Sequence, residues 1–184
     1  TPGSAALDAL VGGGTHDAVN LQINFTLAAT SDLFFNYVFG SEEYNEYVGS
    51  TFNDVFAFFV DGTAAANNVA RLPDNSPVSI NTVNLGANSA YYVNNSPGPF
   101  DIQYDGFTKV LTAKALGLSA GAHTINLEIA DRSDTVLDSG VFIEGGTFST
   151  TQKPPNTVPD SGSTVALLGA SILGLGLLRR RVRR

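Results

Sequence analysis

Alternating and continuous apolar segments divide the first 149 residues into short candidate strands. Residues 19–27, VNLQINFTL, alternate strictly between apolar and polar side chains, which predicts a half-buried strand. The segments LFFNYVF (33–39) and VFAFFV (55–60) are almost continuously apolar, so we expect central strands. Further candidates are a shorter alternating piece, VSINTVNL (78–85), residues 107–113, HTINLEIAD (123–131) and VFIE (141–144).

Turn-forming Gly, Asn and Pro residues separate these segments, and residues 7–11 offer a possible turn of helix. The rest of the body shows no apolar repeat of helical period. A series of about eight short strands predicts an all-β fold, an antiparallel β-sandwich of jelly-roll-like type.

The charge is divided unevenly along the 184 residues. Five of the ten basic residues lie in the last six positions, so residues 1–157 carry 16 acidic against 5 basic groups. An acidic body disfavours nucleic acid, which needs Lys and Arg to neutralise phosphates. The absence of Cys excludes disulfides and zinc–thiolate sites.

The character of the chain changes at residue 150. Residues 150–162 have no periodicity and form an extended linker. The uncharged run 165–178 covers only ~21 Å of a ~30 Å hydrocarbon core, and by length a short buried helix is an alternative. We predict one C-terminal transmembrane helix in residues 163–184, because an arginine cluster holds a membrane segment on the cytoplasmic side. The cluster is Arg179, Arg180, Arg181, Arg183 and Arg184.

A first group of oxygen-bearing side chains lies between the two aromatic segments. It contains Glu42, Glu43, Glu46, Asn53 and Asp54, whereas residues 1–103 hold one Arg and no Lys. Crowded carboxylates repel one another unless a positive charge lies among them, and a bound cation is the simplest source. A solvated acidic turn is an equally good interpretation.

A second acidic group, Asp131, Asp134 and Asp138, lies in a loop between two candidate strands. Ca²⁺ takes 6–8 oxygen ligands from such loops, although the spacing is not that of an EF-hand and Asp is also common in Asx-turns. If the fold brings both groups together, they form one Ca²⁺ site. The predicted ligands are Glu43, Asp54, Asp131, Asp134 and Asp138.

Signals for catalysis are weak, and we do not expect an enzyme. Adjacent Glu42 and Glu43 would be splayed apart on a strand, and no G-x-S-x-G elbow accompanies His16 or His123, which we expect at the surface or at strand ends. The first alternative is a carbohydrate-binding module, in which Tyr91, Tyr92, Tyr104 and Phe107 form an aromatic platform for sugar rings. A hydrolase that uses other carboxylates is the less favoured alternative.

The body resembles the choice-of-anchor L domain of bacterial surface proteins. The resemblance rests on YVFGSEEY (37–44), FNDVFAFF (52–59), DGFTKVL (105–111) and the segment from IAD (129–131) to DSGVF (138–142). The family usually has a small residue such as Ala where Gly40 and Gly140 stand. The resemblance implies display at the cell surface and supplies no activity or catalytic residue.

The tail resembles the VPDSG variant of the PEP-CTERM sorting signals, through Val158, Pro159, Asp160, Ser161 and Gly162. This implies recognition by an exosortase-type cysteine enzyme that removes the anchor. We therefore expect a domain (1–149), a linker with the sorting motif (150–162) and an anchor with an Arg tail (163–184). The predicted role is adhesion or matrix binding, with the protein either displayed at the envelope or released into the extracellular polymer matrix. In this interpretation Ca²⁺ stiffens the loops at the rim of the sandwich that carry the two acidic groups. Export also requires an N-terminal signal upstream of Thr1, so we expect a trimmed product or a fragment.

Overall fold

A computed structural model describes residues 1–155, which contain one α-helix, eight strands and two short 3-10 helices, Ala65–Asn67 and Ser89–Tyr91. The elements are α1 (Ala5–Val11), β1 (Thr15–Leu27), β2 (Ser31–Ser41), β3 (Val55–Val60), β4 (Tyr92–Asn94), β5 (Gly106–Thr108), β6 (Leu111–Leu118), β7 (Gly121–Arg132) and β8 (Ser139–Ile143).

The strands form two antiparallel sheets. One has the order β1-β7-β3. In the other, β8 pairs with one edge of β2, whereas β5 and β6 both pair with its other edge, and β4 lies beyond β5. Tyr37 of β2 pairs with Leu111 of β6 and with Ile143 of β8, so β6 and β8 lie on opposite edges of β2. The expected antiparallel sandwich is confirmed. The division into three and five strands differs from the four and four of a regular jelly roll.

Aromatic side chains fill the space between the sheets. Tyr37 of β2 packs edge-on against Phe56 and Phe58 of β3, with ring centroids 5.4 and 5.0 Å apart. Phe39 stacks on Phe56 at 5.2 Å. Such aromatic pairs add to the free energy gained by burying their large apolar area. The aromatic core fixes how β2 and β3 face each other.

Strand β3 is apolar throughout because both of its faces are covered. Its other face packs, together with Ala130, against Leu7 of α1. The helix begins at the N-cap Ser4, whose hydroxyl accepts the N–H of Leu7, and ends at Gly12 with φ +87°. The prediction that residues 55–60 form a central strand is wrong, because β3 is the last strand of its sheet. Isolated bridges to Asn68 and Ser79 cover its outer edge.

Two other strand predictions need correction. Residues 78–85 alternate in polarity but form turns, in which the hydroxyl of Thr82 donates to the carbonyl oxygens of Pro77 and Ser79. Polar side chains that satisfy the main chain locally compete with strand pairing. The strand expected at 107–113 is broken between Thr108 and Leu111 into β5 and β6.

Strand β1 is formed as predicted, but it is not half-buried along its whole length. Val19 and Leu21 point towards the inside of the sandwich with Ile129 and Leu127, their partners on β7. They nevertheless remain 63% and 57% exposed. The reason is that β1 is the outermost strand of its sheet.

Residues Thr1–Lys153 form one compact unit, and both clusters of buried apolar side chains in the described chain lie within it. This unit buries its own core, as an independently folding domain does. No helix in residues 1–155 is long and apolar enough to cross a membrane. The sorting motif from Val158 to Gly162, the anchor predicted at 163–184 and its arginines lie outside the described residues.

Candidate functional site: the acidic cluster

Four strand ends bring the predicted ligands to one end of the sandwich. Glu43 follows the end of β2, and Asp54 precedes the start of β3. Asp131 is the penultimate residue of β7, and Asp134 and Asp138 lie in the loop between β7 and β8. Because β7 runs antiparallel to β3, and β8 to β2, these ends adjoin. We call Glu43, Asp54, Asp131, Asp134 and Asp138 the acidic cluster.

Hydrogen bonds join the two acidic segments directly. The N–H of Glu42 donates to the carbonyl oxygen of Asp138 at 3.0 Å, and the N–H of Asp138 donates to Oε2 of Glu42 at 3.1 Å. On Asp54, Oδ1 accepts the N–H of Arg132 at 3.1 Å and Oδ2 accepts the hydroxyl of Ser139 at 2.7 Å. Residues 78 to 96 positions apart in sequence therefore share one site.

Glu43 is the most unusual member of the acidic cluster. Its side chain is only 1% exposed, and its Oε2 atom is buried without a hydrogen-bond partner. Burial, together with the charges of Asp54, Asp134 and Asp131, raises the pKa of Glu43 to about 8. A buried carboxylate is costly unless it is neutralised by a proton or by a cation.

Two aspartates share this environment. Burial raises the pKa of Asp54 to about 6, although its hydrogen bonds from Ser139 and Arg132 act in the opposite direction. Burial, followed by the charges of Asp54, Asp138, Asp17 and Asp134, raises the pKa of Asp131 to about 7. Near neutral pH the acidic cluster therefore holds protons that ordinary carboxyl groups would have lost.

Arg132, which follows Asp131 in sequence, does not neutralise the cluster. The guanidinium of Arg132 donates to the carbonyl oxygens of Gly13 and Thr51, at 3.1 and 2.9 Å. Within residues 1–155 no member of the cluster forms a salt bridge with Lys, Arg or His. Nor does any group of three or more His, Cys, Asp or Glu in that range stand ready to hold a metal ion.

A cavity of about 260 Å³ opens beside the cluster, lined among others by Asp131, Asp138 and Asp17. Asp17 was not predicted as a site residue. It lies where the pairing of β1 with β7 shifts register, and its φ of +47° is unusual for a residue other than Gly. Its carboxylate pairs with the amino group of Thr1. The alternation of apolar and polar residues along β1 gave no sign of this register shift.

The other polar residues between β2 and β3 have separate roles. Glu42 accepts the N–H of Asp138, and Glu46 is exposed to solvent. Asn53 accepts the N–H of Asn81 at 3.0 Å and so holds the loop beneath β3. The sequence alone did not separate these structural contacts from the buried carboxylates.

The four aromatic residues suggested as a sugar platform do not share a surface. Tyr92 is buried, and its hydroxyl donates to Asn45. Phe107 packs edge-on against Phe100, and Tyr104 packs edge-on against Phe142. Tyr91 alone lines a cleft of about 570 Å³, together with Arg71 and Lys114.

The side chain of Tyr104 also explains the two glycines that depart from the family pattern. Gly40 of β2 and Gly140 of β8 are paired across the strands. A Cβ atom on Gly40 would approach Cδ2 of Tyr104 to 2.9 Å, and one on Gly140 would overlap its hydroxyl oxygen. The glycine pair therefore makes room for this ring.

The histidines are placed differently from each other. His16 is exposed on β1. His123 is the third residue of β7 and is only 7% exposed. One of its ring nitrogens lies 2.7 Å from Oδ2 of Asp61, and the other lies 2.8 Å from the carbonyl oxygen of Ser119. The expectation of a surface or strand-end position thus misses the burial of His123.

Family matches over the domain and the tail identify this chain as an exported protein of the cell surface. The profile of the choice-of-anchor L domain matches residues 1–149, and that of the VPDSG-CTERM motif matches residues 157–182. The chain belongs to the choice-of-anchor L domain family, and its sorting signal implies processing by an exosortase-type enzyme. No curated protein and no solved structure matches it.

Proposed function

We propose that this protein has an adhesive or structural role at the cell surface and that its domain binds one Ca²⁺ ion at the acidic cluster. The observation that supports the metal is the carboxylate of Glu43, which is buried, unpartnered and surrounded by other carboxylates. A divalent cation would replace the protons that the cluster otherwise retains, and the removal of this repulsion would stabilise the fold.

The donor set favours Ca²⁺ over Mg²⁺. All five members of the cluster offer carboxylate oxygens, and Ca²⁺ accepts six to eight oxygens in a flexible arrangement. Mg²⁺ requires a nearly ideal octahedron and keeps several waters. Because residues 1–155 hold no ready group of three donors, we propose that binding draws the loop 133–138 inward. That movement would stiffen the rim of the sandwich.

Thermal unfolding of residues 1–155 tests the metal. At a Ca²⁺ concentration about a hundredfold above Kd, we expect the Tm to rise by about 5–10 °C relative to a chelator, and less with Mg²⁺. Glu43→Gln and Asp134→Asn should remove the rise, whereas Asp101→Asn, an exposed residue outside the cluster, should keep it. An unchanged Tm in the unsubstituted domain, or equal rises in all variants, would refute the metal site.

We propose that residues 163–184 hold the protein in the membrane until an exosortase-type enzyme cuts near the VPDSG motif. The uncharged run followed by five arginines supports this order of events. The intact mass of the protein recovered from the cell surface tests it. We expect a mass that lacks the C-terminal anchor, and recovery of the uncut chain from the surface would contradict processing.

Carbohydrate binding is the second candidate function, and the cleft beside Tyr91 supports it. Arg71 and Lys114 line this cleft in a body that is otherwise acidic, so an acidic polysaccharide is the favoured ligand. Tyr91→Ala should abolish retention on a gel of such a polymer, and Phe100→Ala, an exposed aromatic outside the cleft, should not. Equal retention of both variants would exclude this cleft.

We propose no catalytic role. The raised pKa of Glu43 is of a kind found in general acids, but its side chain is too deeply buried to meet a polymer substrate. A screen of glycoside and ester substrates tests this. Turnover that disappears in folded Glu43→Gln would establish a hydrolase instead.

A further inference from the structure

A groove runs between β1 and β8, the outer strands of the two sheets. Its central part is about 170 Å³ in volume and is apolar except for Glu128. The side chains of β7 form the floor, and β1 and β8 form the walls. The lining includes Leu127 and Ile129 of β7, Val19 and Leu21 of β1, and Val141 and Ile143 of β8.

The exposure of Val19 and Leu21 is the first sign that this groove takes a ligand. Both belong to the inner face of the sandwich, since they pair in register with Ile129 and Leu127. Nothing in residues 1–155 covers them, and they stay 63% and 57% exposed. Covering apolar surface gains roughly 25 cal/mol per Å², so a strand laid over β1 would be stabilised.

The free edge of β8 is the second sign. In the described chain β8 pairs with β2 along one edge only. Its other edge offers unpaired N–H and C=O groups to an added strand. A strand that pairs with this edge would extend the five-stranded sheet until it lies opposite β1. One strand would therefore satisfy both free surfaces at once.

The two ends of the groove differ in charge. At the Ser139 end it adjoins the cavity lined by Asp17, Asp131 and Asp138, and the two spaces share Val19 and Ile129. At the other end, a cavity of about 230 Å³ is lined mostly by apolar residues, among them Ile23, Phe25 and Phe148. A ligand that fits the whole groove is apolar along its length and basic at one end.

We propose that this groove binds an extended peptide strand of a partner protein, antiparallel to β8, with apolar side chains at every second position and a basic side chain at its C-terminal end. An antiparallel strand places its C-terminal end beside Ser139 and so beside Asp131 and Asp138. Alternate side chains of the strand point inward over Val19 and Leu21. The basic side chain and the proposed Ca²⁺ ion would share Asp131 and Asp138, so the peptide experiment is done in chelator.

A second copy of this chain fits the groove poorly. If two β8 strands paired about a two-fold axis, the two five-stranded sheets would join into one. Both three-stranded sheets would then lie on the same side of the joined sheet. Because each β1 projects beyond the β8 of its own copy, the two β1 strands would collide. The groove has room for a strand and not for a second sandwich.

Fluorescence anisotropy with two labelled heptapeptides tests the proposal on residues 1–155 and on the full chain. Both peptides alternate valine and threonine; one ends in arginine and the other in glutamate. We expect the arginine peptide to bind at least about tenfold more tightly, since the charge reversal places like charges together. Leu21→Lys should abolish binding, and Leu116→Lys, at another exposed leucine, on β6, should leave it unchanged. Hydrogen exchange of the β8 amides should slow in the complex.

Five results would overturn the proposal. Three concern the peptides: no binding of the arginine peptide, equal binding of both peptides, and equal binding to the Leu21→Lys and Leu116→Lys variants. The fourth is self-association that Leu21→Lys removes, which would make a second copy the occupant. The fifth is binding to residues 1–155 that the full chain lacks, which would assign the groove to the chain's own tail. The Tm test of the Ca²⁺ site above uses no peptide, so either proposal can fail without the other.

Discussion

The hydroxyl of Ser139 donates a hydrogen bond of 2.7 Å to Oδ2 of Asp54, although 85 positions separate the two residues. Ser139 is the first residue of β8, and Asp54 immediately precedes β3. The bond links the two sheets at the end of the sandwich that holds the acidic cluster. It also supplies a donor to a carboxylate that is fully buried.

Ser139→Ala should therefore destabilise the domain in a pH-dependent way. Hydrogen bonds to charged groups contribute about 1.5–3 kcal/mol, and the pKa of Asp54 is raised to about 6. We expect chemical denaturation to show that the free energy of unfolding falls by about that amount at pH 8 and by less at pH 5. Ser133→Ala removes a bond to the carbonyl of Thr51 instead and should show no such pH dependence. Equal losses for Ser139→Ala at both pH values would contradict the role given to this bond.

The metal-free domain should lose stability as the pH rises from 5 to 8. Ordinary Asp and Glu side chains in the unfolded chain titrate near pH 4, whereas the folded pKa values of Asp54, Asp131 and Glu43 are about 6, 7 and 8. Between these limits the folded state binds more protons, so stability falls with pH. The Tm in chelator should fall accordingly, and Ca²⁺ should reduce the fall.

Glu43→Gln isolates the contribution of Glu43, because it keeps the shape of the side chain and cannot ionise. This variant should lose less stability between pH 5 and 8 than the unsubstituted domain. An identical loss would show that Glu43 does not contribute to the pH dependence.

Gly140→Ala should destabilise the domain because the added methyl group overlaps the hydroxyl oxygen of Tyr104. Overpacking of this kind costs about 1–3 kcal/mol. Tyr104→Phe removes that oxygen and should recover part of the loss in the double variant. Gly145→Ala meets no atom within 4 Å and serves as the control. Additive effects of the two substitutions in denaturant unfolding would contradict direct contact.

The pKa of His123 should lie above the ordinary 6.5, because its ring bonds the carbonyl of Ser119 and the carboxylate of Asp61. Burial alone would raise the pKa of Asp61, but the hydrogen bonds from His123 and Thr124 outweigh it and lower this pKa. The stability that the histidine adds is complete below pH 6.5 and is lost as the pH rises through its folded pKa. NMR titration should show this pKa, and Asp61→Asn should lower it. An unchanged value in that variant would refute the pairing.

Much of the fold follows from the apolar pattern, because each strand shows its own periodicity. The segments that became β1, β2, β3, β7 and β8 were all predicted as strands. Their order in the sheets could not be predicted from that pattern. A strand covered by a helix and one flanked by two strands are equally apolar, which is why β3 was taken for a central strand.

The candidate site was only partly accessible to the sequence. Two acidic groups were evident, but their closeness depends on how β7 pairs with β3 and how β8 pairs with β2. Asp17 was missed because a register shift in β1 places it there. The open groove was missed because alternation predicts which residues share a face and not whether another sheet covers that face.

Calorimetric titration of Ca²⁺ into residues 1–155 tests the central claim most directly. We predict saturable binding of one ion per domain, which disappears in Glu43→Gln while that variant remains folded. Release of protons near pH 7 should accompany binding, since the cluster carries protons there. The absence of binding, or unchanged binding by Glu43→Gln, would contradict the account.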